Sequence, residues 1–405
     1  MKKLALILIT LFSNSAFASN TCMDNDLVIA ATGDTIFHGA LLVQAFKKDS
    51  TGGFDRLWNE VTPYLQQTDL MYTNLEGPVA EGLFQDGTED MSLSEIYHPT
   101  NGMYSVGEAG RSYTFNFHPE SVRALVRSGF SLFSTANNHS LDRKVKGLNK
   151  TLDFLYKNNI DYFGTRYKDQ SDDDFVKIIN KNNMNIAFIG CTYGSNVKSK
   201  SNQVMYCYEG KKANHILINL VKKYSQQVGA VIVTPHWGTE YAETFNSKQK
   251  NFAKALVAAG AKAIIGHHPH VVQPVEYLVS PKGVKVPVLY SLGNFVTNQA
   301  PSNWKDPVKN ESRFKRRVGA VAFIGFNFEN NEVQFNNLKV MPTYMKIQYE
   351  GEKGMRKLVP AYKEKYPNKK KLAKSLDKSM KYFSAKFNGE VLTYNELNSG
   401  VVCKP

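Results

Sequence analysis

Ala261-Lys262-Ala263-Ile264-Ile265-Gly266-His267-His268-Pro269-His270 joins a short apolar run to a cluster of three histidines. Four to five apolar residues rich in β-branched side chains, closed by glycine, read as a buried strand. The same arrangement recurs along the chain. The run 27–31 stops at Thr32-Gly33-Asp34, 70–73 at Asn74-Leu75-Glu76, and 130–136 at Asn137-Asn138-His139. The run 230–234 leads into Pro235-His236-Trp237-Gly238, and 286–290 into Ser291-Leu292-Gly293-Asn294-Phe295. A further apolar run, 185–191, has no such ending.

Helical patterns fill the gaps between these runs. At 121–128, Val122, Leu125 and Val126 share a face and Gly129 supplies the stop; at 147–159, Leu148, Leu152 and Leu155 do the same. Segments 212–224 and 247–259 read as further helices. Near-continuous apolar strands alternating with helices indicate an α/β fold with buried sheets. Residues 81–118, rich in Gly, Ser and Asp, read as a long insertion on the site face.

The chemistry lies where the strands end. Ligands of open α/β sheets bind beyond the carboxyl ends of strands, and there the sequence sets out Asp34, Asn74, Glu76, Asn138, His139, His236, His267, His268, His270 and Asn294. One such residue is ordinarily a turn former, a cap or a core histidine. The coincidence carries the reading: four of the nine histidines fall at two strand ends, with carboxylate and amide groups at others. Mixed nitrogen and oxygen donors suit Zn, Mn, Fe or Co rather than calcium. No cysteine lies among them.

Taken in order, these motifs resemble the bacterial CapA/PgsA capsule-synthesis family over roughly residues 26–300, a family similar to calcineurin-like metallophosphatases. The resemblance implies a four-layer α/β/β/α metallophosphatase-like sandwich holding one or two divalent metal ions. It implies Asp34, Glu76, Asn138, His236, His268 and His270 as metal ligands, with His139 and Asn138 in catalysis. Asn74, Trp237, Glu240, His267 and Asn294 are the expected substrate-binding residues; Tyr241 is a further candidate for the groove, with packing beside the strand end as the alternative for both aromatics. Asp142 either orients His139 or caps the following helix. Two departures stand out: Ile36 occupies the place of the usual histidine two residues after the first Asp, and Glu76 replaces a bridging Asp.

The chain has 405 residues, 42% of them hydrophobic and 21% charged, which excludes wholesale disorder and a polytopic membrane protein. Lys2-Lys3, an apolar stretch over 4–12 and Ala16-Phe17-Ala18 read as a secretory signal peptide over 1–18. Residues 19–341 are expected to form the main domain and 342–405 a basic extension, so the mature protein is expected to be periplasmic or secreted with no transmembrane anchor. In an oxidising compartment the four cysteines favour disulfides. Cys191–Cys207 and Cys22–Cys403 are the expected pairs, against the alternative of four buried thiols.

The net charge is +14, and residues 342–405 hold 14 Lys or Arg against 6 Asp or Glu. Lys369-Lys370-Lys371 followed by Leu372, Leu376, Tyr382 and Phe383 reads as a helix with one apolar and one cationic face. Such a helix is either simply a solvated face or meets an acidic partner, which for an exported chain would be an anionic polymer or a cell-envelope component rather than nucleic acid. The functional expectation is a metal-dependent hydrolase-like protein for an anionic surface polymer such as poly-γ-glutamate. The alternatives are a non-catalytic component of a polymer synthesis or export complex, and a periplasmic phosphodiesterase or nucleotidase.

Overall fold

A computed structural model describes residues 22–48, 52–98, 102–104, 114–199, 201–208, 211–299, 314–329, 332–347 and 355–402. The expected signal peptide and Cys403 lie outside the described residues. In chain order the strands are β1 (Leu27–Thr35), β2 (Leu70–Leu75), β3 (Leu132–Ser134), β4 (Asp161–Phe163), β5 (Val176–Lys181) and β6 (Met184–Thr192). Then follow β7 (Ala230–His236), β8 (Ala263–Ile265), β9 (Val275–Val279), β10 (Lys285–Leu289) and β11 (Asn294–Val296). The last four are β12 (Val318–Glu329), β13 (Glu332–Lys346), β14 (Lys357–Pro360) and β15 (Glu390–Val391). The helices used below are α1 (Gly39–Ala45), α2 (Thr62–Leu65), α3 (Pro119–Arg127), α4 (Lys144–Lys157), α5 (Lys211–Tyr224), α6 (Ser247–Ala259) and α7 (Lys370–Lys386).

The strands form two sheets in a mixed α/β arrangement. The first runs β14-β13-β12-β1-β2-β3-β4, with β11 also pairing β1 and β15 pairing β13; the second runs β5-β6-β7-β8-β10-β9. Strands β1 to β4 are parallel, as are β6, β7, β8 and β10. Their carboxyl ends, and hence the residues that follow them, collect at one edge of each sheet.

Alternation along β1 shows how the layers are built. Val28 and Ala30 pack with Leu41 of α1, Val122 and Leu125 of α3, and Phe154 of α4. Leu27, Ile29 and Ala31 point the other way, onto Ile186, Phe188, Ile232 and Ala263 of the second sheet. On that sheet's far face Ala187, Val231 and Ile264 meet Leu217 and Val221 of α5 and Phe252 and Leu256 of α6. Both faces of both sheets are therefore apolar, which explains the unbroken hydrophobic runs. Each fully buried Leu, Ile or Val contributes roughly 1.5–3 kcal/mol relative to exposure.

Several boundaries differ from the sequence reading. Strand β1 continues through Asp34, which pairs with both Asn74 and Asn294 and is not part of a terminating turn. Gly33 permits this: a Cβ there would lie 2.0 Å from the Gly293 carbonyl oxygen, so only glycine lets the 291–295 segment lie against β1. Strand β3 is shorter than 130–136, and α4 starts three residues earlier than expected. Strands β12 and β13, a long antiparallel pair beyond the last run recognised in the sequence, extend the first sheet past β1.

Position 341 falls inside β13, so the sheet continues into the residues read as an extension. Helix α7 there buries Leu372, Leu376 and Phe383 in the layer between the sheets and turns Lys370, Lys371, Lys374 and Lys381 to solvent. Removing 363–386 would uncover that layer. Cys191 and Cys207 form the expected disulfide, with Cα atoms 5.6 Å apart. Of the other expected pair, Cys22 is described and disulfide-bonded, and the residue after it, Met23, forms a parallel bridge with Val402.

Candidate metal centre

Each side chain of the cluster is delivered by a strand end. Asp34 comes from β1, Asn74 from β2, Glu76 from the residue after β2, and Asn138 and His139 from the turn after β3. His236 closes β7, and the turn after β8 supplies His267, His268 and His270. All are buried. His268 (φ +98°) and His270 (φ +57°) hold left-handed backbone conformations, which cost roughly 1–3 kcal/mol for residues other than glycine. Such strain is found where geometry serves a site.

Asp34 is the anchor. Its Oδ1 accepts from Asn74 Nδ2 at 2.9 Å and faces His267 Nδ1 at 3.1 Å; its Oδ2 accepts from the His268 backbone N–H at 3.2 Å. His270 Nδ1 lies 3.0 Å from the same Oδ2 and 3.1 Å from Asn294 Oδ1. With two acceptors at Nδ1, His270 carries its proton there and turns the Nε2 lone pair toward Glu76 Oε1, 3.6 Å away. Burial would raise the Asp34 carboxyl, but hydrogen bonds from His267 and His270 outweigh it and hold it well below the usual range.

Glu76 is the contrary case. Both of its carboxylate oxygens are buried with no hydrogen-bond partner. Burial, and then the charge on Asp34, push its carboxyl well above the ordinary range. A buried carboxylate without partners is strongly destabilised unless a cation lies against it. Suitable neighbours are present: Asp34, Glu76 and His236 offer ligand atoms within 4.8 Å of one another, and so do Glu76, His268 and His270. The donor set therefore fits a divalent ion, with Glu76 common to both groups. Burial first, and neighbouring histidines second, hold His236 well below its ordinary pKa and bring His268 to about 3; both are neutral, as ligands must be. Asn138 Oδ1 lies 2.9 Å from His236 Nε2 and adds an oxygen donor at that edge.

His139 stands at the rim. Its Nδ1 lies 2.7 Å from Asp142 Oδ2, which also accepts the Phe115 N–H at 2.8 Å, and its ring packs on Phe115. Asp142 thus orients the imidazole and fastens the 81–118 insertion to the site.

Of the expected substrate residues, Trp237 lies away from the cluster and His267 within it. Trp237 is fully buried among α6 and β10 residues, its indole donating to the Tyr290 carbonyl at 3.0 Å; the residue after His236 points to the opposite face of the sheet. His267 uses both ring nitrogens, on Asp34 and on the Tyr72 hydroxyl at 2.7 Å, and so backs the cluster. Asn294 is likewise engaged, donating to the His270 and Arg316 carbonyls. Asn74 bridges Asp34 and His236, while Glu240 is exposed beside the cluster.

Sequence reasoning missed four contributors. His38, buried and brought by burial to a pKa of about 3, lies across Phe115 from His139. Tyr193 packs 4.5 Å from the His268 ring. Asn196 contacts Asn138 and His139, and Asn137 donates to the Leu75 carbonyl. Only Asn137 left a signal, its place in the Asn-Asn-His run.

Residues 28–299 match the model of the bacterial capsule synthesis protein PGA_cap. The chain is 29% identical over 256 residues to the PGA biosynthesis protein CapA of Bacillus subtilis (strain 168), across 63% of this chain and 60% of that protein. It is 29% identical over 259 residues to the capsule biosynthesis protein CapA of Bacillus anthracis, across 63% and 56%. The chain thus spans less than two thirds of the length of these relatives. Among solved structures it is similar to the calcineurin-like phosphoesterase YfkN of Bacillus subtilis, with TM-score 0.43 and 13% identity over 92% of this chain and 98% of that one. The Haemophilus influenzae NAD nucleotidase NadN gives TM-score 0.42 and 13% identity over 92% and 59%.

Proposed function

Because this chain belongs to the bacterial capsule synthesis protein family PGA_cap, we propose that it is an exported, metal-dependent hydrolase-like protein. Its proposed role is the synthesis or processing of an anionic cell-surface polymer such as poly-γ-glutamate. We take the fold to be the four-layer α/β/β/α sandwich of metallophosphatases, a reading supported by the three apolar layers. The single observation that carries the function is the Glu76 carboxylate, buried, without a hydrogen-bond partner, and surrounded by Asp34, His236, His268 and His270.

Asp34, Glu76, Asn138, His236, His268 and His270 would hold one or two ions, with Zn, Mn, Fe or Co suited to the donor set. When bound, such an ion lowers the pKa of water toward neutrality and polarises the scissile group. The chain's own residues do the rest. His267, Asn74 and the His268 N–H fix the Asp34 carboxylate. Asp142 commits His139 Nδ1, so proton exchange with a substrate oxygen or nitrogen is confined to Nε2. Export is supported by the Cys191–Cys207 disulfide, which persists in oxidising compartments. No helix of the described residues is long and apolar enough to cross a membrane.

The test is turnover by the metal-loaded and chelator-stripped protein on poly-γ-glutamate, a γ-glutamyl amide and a phosphodiester. Metal-dependent cleavage of at least one, lost at least 100-fold in His139→Ala with metal retained, supports the proposal. Full metal content without turnover on any of them overturns it in favour of a non-catalytic component of a polymer synthesis or export complex.

A further inference from the structure

Three consecutive cations, Lys315, Arg316 and Arg317, enter β12 beside the cluster, and their fates differ. Lys315 pairs with Glu243, which Lys386 also holds, at 2.8 Å. Arg317 is buried, donating from Nε to the Met345 carbonyl at 2.7 Å and packing on Tyr344. Arg316 has no acidic partner among the described residues. Its guanidinium carbon lies 3.4 Å from the centre of the Tyr241 ring, and its Nε is buried without a hydrogen-bond partner.

This position is tied to the cluster twice. The Arg316 carbonyl accepts from Asn294 Nδ2 at 2.9 Å, and Asn294 Oδ1 faces His270 Nδ1 at 3.1 Å. The Tyr241 ring centre lies 6.0 Å from that of His270, and the Tyr241 N–H donates to the Pro269 carbonyl at 2.8 Å, inside the turn that carries the histidines. Tyr241 holds a left-handed φ of +64°, so its placement is enforced by that turn. Arg316 and Tyr241 are both partly exposed, and the neighbouring Glu240 is exposed.

We propose that Arg316, laid over Tyr241, is an oxyanion-binding subsite beside the metal centre that holds a carboxylate or phosphate group of the substrate. The inference rests on the functional reading above, since it assigns the anion-recognising group of the same site. A guanidinium stacked on an aromatic face keeps its N–H edge directed outward and held flat, the arrangement that grips two oxygens of one planar or tetrahedral anion. Exposed Glu240 makes the rim selective, because an anion is held only where it approaches the guanidinium and clears that carboxylate.

The test is calorimetric binding of three probes to the metal-loaded full chain: a short γ-glutamyl oligomer, its fully amidated neutral counterpart, and inorganic phosphate. Arg316→Ala should weaken binding of the oligomer, of phosphate, or of both at least tenfold, with no change for the neutral probe and full metal content. Arg316→Lys should restore part of the loss, and Tyr241→Leu should weaken the same anions. Which anion responds distinguishes a carboxylate polymer from a phosphate source. Wild-type anion affinity in Arg316→Ala, or no anion binding by the wild type, overturns the subsite. Metal content, measured on every sample, reports separately on the metal-centre reading, and the anion titration repeated on chelator-stripped protein tests Arg316 even where that reading fails.

Discussion

Replacing Cys191 and Cys207 together by alanine tests how the site loop is held. The two residues are 16 apart in sequence and fully buried in the layer between the second sheet and α5 and α6. Closing a loop of that length is worth about 3 kcal/mol in the chain-entropy model, and lost packing of two buried sulfurs adds to it. The backbone beside the bridge is also paired: Thr192 N–H donates to Met205 O, and Cys207 N–H to Thr192 O, each at 2.9 Å. The loop so closed carries Tyr193 against His268 and Asn196 against Asn138 and His139. Urea unfolding followed by circular dichroism should show a lower midpoint at unchanged slope, a loss of about 3 kcal/mol or more. Amide exchange over 192–206 should accelerate as the loop loosens. A loss below about 1 kcal/mol, with unchanged exchange, would refute the role given to the bridge, since the chain-entropy term alone exceeds it.

His118 caps α3, its Nδ1 accepting the Glu120 N–H at 3.1 Å, and burial brings its pKa down to about 4. Between pH 6.5 and 4 the unfolded chain binds the proton and the folded chain does not, so lowering the pH through this window removes up to about 3 kcal/mol of stability. His118→Asn, which keeps a cap acceptor, should flatten that part of the unfolding profile. Asp142→Asn should lower turnover by about 10–100-fold with metal retained, read in the substrate assay and by metal analysis. Trp237→Phe should cost about 2–3 kcal/mol through a cavity and an unmet Tyr290 carbonyl, measured by urea unfolding, and leave metal content unchanged.

The strand ends were legible because burial on both faces makes their strands uniformly apolar, and because metal ligands are of few residue types. What escaped the sequence came from packing between distant segments. Asn196 meets His139 across 57 residues and Arg316 meets Tyr241 across 75, with no local pattern at either end. His38 stands four residues after Asp34, outside any spacing that marks a ligand pair, while Ile36, which occupies the expected histidine's place, is core. Trp237 was within reach of simple alternation: if His236 faces the cluster, its successor faces the helices. Strand β12 is as apolar as β1 but bears no ligand at its end, and β13 interrupts its apolar residues with Gln334, Asn336, Asn337 and Lys339, so neither is marked by the pattern that marks the site strands.

Metal stoichiometry in Glu76→Gln tests whether Glu76 is a carboxylate held for a cation. The substitution keeps shape and removes only the charge, and Glu76 belongs to both candidate ligand groups. After dialysis against trace metal and removal of excess, elemental analysis should find one to two divalent ions per wild-type chain. It should find about a tenth of that or less in the variant, with circular dichroism unchanged. Equal metal content in the two proteins would show that Glu76 holds no ion.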